Sequence, residues 1–552
     1  MKQSLSVAAC LIAIASLGSG CGSGGTSAGG SGGQAGSPTG SGGVSGGGGS
    51  IGSGGASEST GGNGGGNSDA MGSGGSAAGG SGGSGGGGGA TGGNDGGPIN
   101  PDGGGSTLPS GTPATVHLDG AQLAALQKQL AGGGSAEQKV AFDNLIAAAQ
   151  VALKSGTWSV TTKAAAYVVA NDPRTYVSWG PYWWPSDANP PGTAGTLTRC
   201  PYVSHDGIRN PNVAMITDRH GLHASSEAIF ELALAWYLTG DPAYADQAEL
   251  VARTWYLDPL KSMKPEMSYA QRPGPCGTGS AAGLIEASGG YLTDALDGLS
   301  ILALDTRANG WTAADQTGLK NWMKQYLTWV QTSPTGTAEG AGANNHGTWY
   351  DVMVASIDLY VGDSVTAKNV VNAAKQKRID SQIMSDGRMP QELSRTTSWH
   401  YSNYNASGMC HLAEVAKRAG VDLWGYQSPG GGSIVKAIAY LIPAATTASP
   451  PGPWAQYNDI TSPFDKVYQA ESYYSIRAAA QYGNNAAAQA VVSQKPIPIT
   501  VPGHYCSGDR FPTGSDFCAI TKGAAVFDDL QPLATPAVDM WPVIPTCRMP
   551  IN

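Results

Sequence analysis

Charge and phenylalanine are both scarce in this 552-residue sequence, with 13% Asp, Glu, Lys and Arg together and only 6 Phe. The 31 basic residues are outnumbered by 40 acidic ones, giving a net charge of −9. No basic stripe of the kind that grips a phosphate backbone is present, so nucleic acid is not expected as a partner. The sequence also lacks a His-Glu-x-x-His or Cys-x-x-Cys pattern, so no metal is expected, and no cofactor. His220 and His223 could share a helix face, but they have no convincing third ligand and read as cleft or packing histidines. Apparent GxGxxG matches in the first hundred residues arise from composition alone.

The apolar run Leu5 to Leu17 is too short to cross a bilayer. Preceded by Lys2 and followed by Gly18-Ser19-Gly20-Cys21, it reads as an export signal over residues 1–21. Cys21 stands where a bacterial lipobox places its lipidated cysteine, although Gly18 departs from the usual leucine. The chain is therefore expected to be exported, either as an outer-membrane or cell-surface lipoprotein or as a secreted protein. Any membrane contact would run through a lipid anchor at Cys21.

Large apolar side chains are almost missing from residues 22–114, which are mostly Gly, Ser, Ala, Thr and Asn. Such a segment cannot bury enough surface to offset its ordering entropy and is expected to be a disordered linker. The chain beyond residue 114 holds nearly all of the 14 Trp and 22 Tyr and can build a large core. A monomer is expected. Six cysteines remain after the signal, namely Cys200, Cys276, Cys410, Cys506, Cys518 and Cys547. Fifteen pairings are open, with Cys506–Cys518 the most local.

Residues 115–495 read as successive amphipathic helices. Ile229, Leu232, Ala233, Trp236 and Tyr237 lie on one helical face, Gly240 stops that helix, and Asp241-Pro242 starts another. Further helices are predicted over 291–304, after Thr312, and over 348–361, 364–383, 403–419, 432–444 and 465–482. Paired helices over so long a stretch predict an all-α fold, an incomplete (α/α) toroid or barrel of helical hairpins. Residues 496–552 read as an irregular Cys-containing cap of the same domain.

Chemistry concentrates in three loops. Ser178 to Pro185 carries Tyr182, Trp183 and Trp184, a natural platform for sugar rings. The same rings could instead plug the core beneath a loop. Asn344, Asn345 and His346 precede a helix, where amide and imidazole donors can converge on a carboxylate. An N-cap role would explain an asparagine but not the histidine. Asp386 to Tyr404 brings Glu392, Arg395, His400, Tyr401 and Tyr404 close in sequence, an acid/base set around an anionic group. The bland alternative is a Glu392–Arg395 ion pair on a turn.

In order, the chain shows Pro181-Tyr182-Trp183-Trp184-Pro185, Tyr202 to Pro211 with Asp206-Gly207, Thr239-Gly240-Asp241, Trp255 to Pro259, and Met263-Lys264-Pro265. Asn344-Asn345-His346-Gly347 and Asp386 to Tyr404 come next. This set, from Tyr176 to Trp424, resembles the alginate lyase family and the wider superfamily of helical-toroid polysaccharide lyases. The resemblance implies a barrel of paired helices with a long cleft, and β-elimination at uronic acid residues of an anionic polysaccharide. It also implies that Asn345, His346 and Arg395 neutralise the uronate carboxylate while Tyr401 serves as general base and acid. The Arg395-to-Tyr401 spacing is one residue shorter than in that family, although Tyr404 keeps its place three residues after Tyr401. A shifted register would exchange Tyr401 with Tyr404, and His400 is a further alternative base. Asn344 and Glu392 would orient the site, with Tyr182, Trp183, Trp184, His223, Trp349 and Tyr350 as subsite candidates. The positive charge of Arg395 is expected to favour an ionised Tyr401.

Two other classes compete. An inverting glycoside hydrolase on a helical barrel needs a pair of carboxyl groups, for which Asp351, Asp386 and Glu392 are the candidates. A tethered polysaccharide-binding protein without catalysis would need only the aromatic loop.

Overall fold

The computed structural model describes residues 107–186, 200–208, 210–446, 457 and 466–493. The export signal with Cys21, the linker up to residue 106, and the 496–552 cap with Cys506, Cys518 and Cys547 lie outside the described residues.

The described chain is mostly helical. It runs through α1 (Gly120–Ala131), α2 (Ala136–Lys154), α3 (Asp218–Thr239), α4 (Pro242–Ala252), α5 (Ile285–Ser288), α6 (Tyr291–Leu302), α7 (Ala313–Thr332) and α8 (Pro334–Gly340). It continues with α9 (Asn345–Val361), α10 (Ser364–Ala374), α11 (Pro390–Leu393), α12 (Ser398–Arg418), α13 (Ile434–Thr446), α14 (Lys466–Gln481) and α15 (Ala486–Ser493). Neighbours in sequence pack as hairpins, α3 with α4 and α9 with α10, while α3–α6 and α9–α12 link one hairpin to the next. This is the incomplete (α/α) toroid.

The hairpins turn by one repeated local device. Gly240 ends α3 at φ +75° and Gly362 ends α9 at φ +93°, a left-handed conformation that costs an L-residue about 1–2 kcal/mol. An aspartate comes after each glycine and caps the next helix, Asp241 accepting from the Ala243 amide and Asp363 from that of Thr366, each at 3.0 Å. Two apolar clusters fill the structure. One is built on α3, α4, α6 and α7 around Trp255 and Tyr326, the other on α9 to α15 around Trp349, Trp399 and Trp424. Truncating a buried tryptophan of this kind costs about 3–5 kcal/mol.

Residues 107–118, whose first part falls in the span read as linker, are seated on the helices. Gln127 on α1 donates to the Pro109 carbonyl at 3.0 Å, and the Tyr237 hydroxyl of α3 donates to the Gly111 carbonyl at 2.7 Å. Asp297 on α6 accepts the backbone N–H groups of Val116, His117 and Leu118 at 2.6–3.1 Å.

Three helices differ from the sequence-based bounds in ways that matter for the site. α9 begins at Asn345, with Asn344 as its cap, and α12 begins at Ser398, so His400 and Tyr401 occupy a helical first turn. The segment predicted as one helix over 364–383 ends at Ala374 and widens into a π-helical turn over Lys375–Asp380. From that turn Arg378 reaches Asp351 on α9 at 2.8 Å and the carbonyls of Gly340 and Gly342 at 2.8 and 2.7 Å, clamping the α8–α9 junction. Gly347 allows this approach, because a Cβ there would collide with the Arg378 guanidinium and the Gly342 carbonyl.

Among the described residues there are four short strands in two pairs. β1 (Val177–Trp179) runs parallel to β4 (Tyr269–Arg272), and β2 (Trp183–Pro185) is antiparallel to β3 (Tyr202–Ser204). The Cys200–Cys276 disulfide ties the β3 end of this second pair to the loop after β4. Cys410 is free and buried on α12.

Candidate active site

A cavity of about 280 Å³ opens where the β2–β3 pair meets the starts of α9 and α12. Tyr182, Trp183 and Asp206 wall it on the strand side, and Asn345, His346, Arg395, His400, Tyr401 and Tyr404 on the helix side. Gln271 on β4 completes a third wall. Its φ of +47° is rare for a residue with a side chain, and its backbone N–H donates to Ser178 Oγ at 2.8 Å.

The α9 side is built from amide, imidazole and carboxylates. Glu392 on α11, fully buried, accepts from both the backbone N–H and the side-chain Nδ2 of Asn345, at 2.6 and 2.9 Å. Those two bonds fix the orientation of the Asn345 amide. Burial pushes the Glu392 carboxyl up, with the Asn345 donors opposing. Asn344 Oδ1 accepts from the His346 amide at 3.3 Å, the N-cap contact. The His346 ring places Nδ1 2.7 Å from Oε1 of Glu339, on α8. Burial alone would lower the imidazole pKa, but Glu339 outweighs it and holds the group above its ordinary value.

The α12 side holds a phenol pair and a stacked guanidinium. Tyr401 and Tyr182 share a hydroxyl–hydroxyl hydrogen bond of 2.9 Å. Arg395 lies flat over the Tyr401 ring, Cζ 3.5 Å from the centroid. Its Nε and Nη2 donate to Asp206 at 3.1 and 2.5 Å, and Thr396 Oγ1 donates to the same carboxylate at 2.9 Å. The bland alternative of a Glu392–Arg395 pair on a turn survives only as an attraction between the two charges; the hydrogen bonds described join Glu392 to Asn345 and Arg395 to Asp206. Arg395 does favour the ionised form of Tyr401, as expected, but it is outweighed. Burial, with Tyr182 adding to it, pushes the phenol well above its usual range, and Arg395 pulls it down without prevailing. Asp206 pulls against Arg395 from the other side.

Several sequence-based candidates lie off the cavity. Trp184 is buried, with its indole N–H on the Ile208 carbonyl at 2.8 Å. His223 is buried in α3, stacked on Tyr291 at 3.7 Å with Nε2 at 2.8 Å from the Glu286 carbonyl. Trp349 is sandwiched between Tyr404 and His411, and Tyr350 packs against Gly340. Trp184, His223 and Trp349 are buried and Tyr350 is part-buried, and none of the four lines this cavity. Asn344 and Glu392 stand behind Asn345 and His346. Tyr182, Trp183, His400 and Tyr404 do line the cavity. Sequence reasoning missed Glu339 and Gln271, and had Asp206 only as part of a motif. Nothing local marks them, since the contacts that define Asp206 and Gln271 cross 189 and 93 positions. Among the described residues, no group of three or more His, Cys, Asp or Glu is placed to hold a metal.

Comparison with known proteins agrees with this architecture. The family model described as alginate lyase matches residues 159–451. A crystal structure of an alginate lyase from Bacteroides ovatus is similar at 32% identity and a TM-score of 0.61, covering 68% of this chain and 94% of that one. Alginate lyase A1-III from Sphingomonas species A1 aligns at 18% identity and a TM-score of 0.42, over 68% of this chain and 90% of its own. No curated protein sequence matches. With more than half of the chain matched by the family model and a solved relative at this identity, the chain belongs to the alginate lyase family and is a polysaccharide lyase.

Proposed function

We propose that the enzyme cleaves a uronic-acid-containing, alginate-like polysaccharide by β-elimination, with the reaction centred on Tyr401. The observation that carries this reading is the convergence of Asn345, His346, Arg395 and Tyr401 on one cavity. The C5 proton of a uronate is too weakly acidic to leave while the adjacent carboxylate keeps its full charge. Donors from Asn345 Nδ2 and His346 Nε2 supply the neutralisation, because they stabilise the charge that builds up as the enolate-like state forms. Tyr401 Oη takes the C5 proton. The C5–H electron pair becomes the C4–C5 double bond, the C4–O4 bond breaks, and the same phenol returns the proton to O4. Arg395 serves Tyr401 more than the substrate, since its N–H edge is engaged by Asp206 while its face covers the ring.

A base must be ionised to act, and Tyr401 is held above its ordinary pKa. The ionised fraction therefore grows with pH, up to about tenfold per unit below that pKa. His346, also raised, keeps its cation above the usual imidazole range. Activity is expected to climb on the alkaline side of neutrality and to fall once His346 loses its proton.

The test is ultraviolet absorbance of the unsaturated product, measured across pH with alginate and other uronans. Tyr401→Phe is expected to lower kcat by about 10²–10⁴-fold, with an unchanged melting temperature. New reducing ends without the absorbance would mean hydrolysis and defeat the reading.

A further inference from the structure

One buried carboxylate beside the cavity is left without a role by the elimination just described. Glu339 sits at the end of α8 with its side chain only 3% exposed, and Oε1 lies 2.7 Å from His346 Nδ1. Its position does not depend on the histidine. Arg378 holds the carbonyls of Gly340 and Gly342 on one side and Asp351 of α9 on the other, so the junction that carries Glu339 is fixed against the helix that carries His346. A carboxylate so placed selects one ring orientation, because it engages Nδ1 and leaves Nε2 as the nitrogen available to a ligand in the cavity that His346 lines.

We propose that Glu339 is a positioning residue for the lyase reaction, fixing the His346 ring through Nδ1 so that Nε2–H meets the uronate carboxylate. The inference rests on the reading of the site as a uronate-eliminating centre and extends it to a residue outside the cavity lining. His346 then acts as a fixed cationic donor and transfers no proton, while Tyr401 handles the C5 proton and O4. The charged groups acting on His346 are Glu339 from α8, Glu392 from α11, and Arg395 from the turn before α12. The other titratable groups lining the cavity are Asp206 and Tyr182 on the strand side and His400, Tyr401 and Tyr404 on the helix side. Glu339 is the one of these in direct hydrogen-bond contact with the ring, and Glu392 acts with it while Arg395 opposes.

The experiment compares the full chain with Glu339→Gln and Glu339→Asp. It tracks the proton NMR titration of the His346 ring, identified by the signal lost in His346→Gln, and the pH profile of kcat on alginate. In Glu339→Gln the His346 midpoint is expected to fall by about 1–3 pH units, the span an adjacent opposite charge commands. The alkaline limb of kcat should move down with it, while Glu339→Asp shifts both less. An unmoved midpoint overturns the proposal, as does a kcat lowered equally at every pH with no recovery in the aspartate variant. If Glu339→Gln melts early, the aspartate variant decides by the same two readouts. Should no variant or parent turn over alginate, the proposed reaction fails, yet the titration still reports whether Glu339 governs the ring.

Discussion

The helical frame and the β2–β3 pair contribute to one cavity by opposite means. α12 is buried along nearly its whole length, from Ser398 to Ala416, and is surrounded by α9, α13 and α14. The β2–β3 pair is two strands of three residues each, held by the Cys200–Cys276 bond, the Tyr182–Tyr401 hydrogen bond and the Asp206–Arg395 pair. The frame is stable whether or not the site works, whereas the strand pair meets the helices through residues that are themselves part of the site. Stability and activity are therefore expected to respond separately to substitutions in the two regions.

The largest expected effect is in the frame. Trp255→Ala, in the core beneath Gly221 of α3, should cost about 3–5 kcal/mol in urea unfolding and leave the kcat of the folded fraction at low temperature near that of the parent. A comparable loss of kcat would break the distinction. Next comes removal of the disulfide by Cys200→Ser with Cys276→Ser. A link across 76 positions stabilises by about 2–4 kcal/mol, and here the KM is expected to rise with it, since the strands carrying Tyr182 and Asp206 lose their anchor. Smallest in free energy and sharpest in meaning is Asp206→Ala. It should lower kcat by about 10–100-fold through a misplaced Arg395, with little change in melting temperature because the pair is partly exposed to solvent. A fall in stability without a fall in kcat would show that Asp206 belongs to the frame.

The same division explains what could be read from sequence. Hairpins such as α3–α4 announce themselves through apolar spacing and the Gly240-Asp241-Pro242 punctuation, since both signals are local. Asn345, His346, Arg395 and Tyr401 were legible as a set through the family resemblance, and the fold brings all four to one cavity. Trp183 lines the cavity as expected, whereas Trp184, Trp349 and His223 lie off it for a physical reason. An aromatic ring at a loop or helix start looks the same in sequence whether it faces a sugar or the core, and only the packing of Trp184 under Ile208 or His223 on Tyr291 decides. Partnership was the other blind spot. Arg395 has Glu392 three residues away and feels its charge, yet donates to Asp206 in the turn after β3, while Glu392 accepts from Asn345.

Gly347 carries a consequence for anyone searching genomes with the Asn-Asn-His-Gly signature. The glycine in that string is demanded by packing: a Cβ there would meet the Gly342 carbonyl and the guanidinium of Arg378, a residue well outside the motif. A search that insists on the glycine therefore selects for the close approach of Gly342 and Arg378 to the start of α9. A distant homologue could carry another residue at that position only if both the Gly342 backbone and the arginine clamp had moved away, and the signature would pass it over.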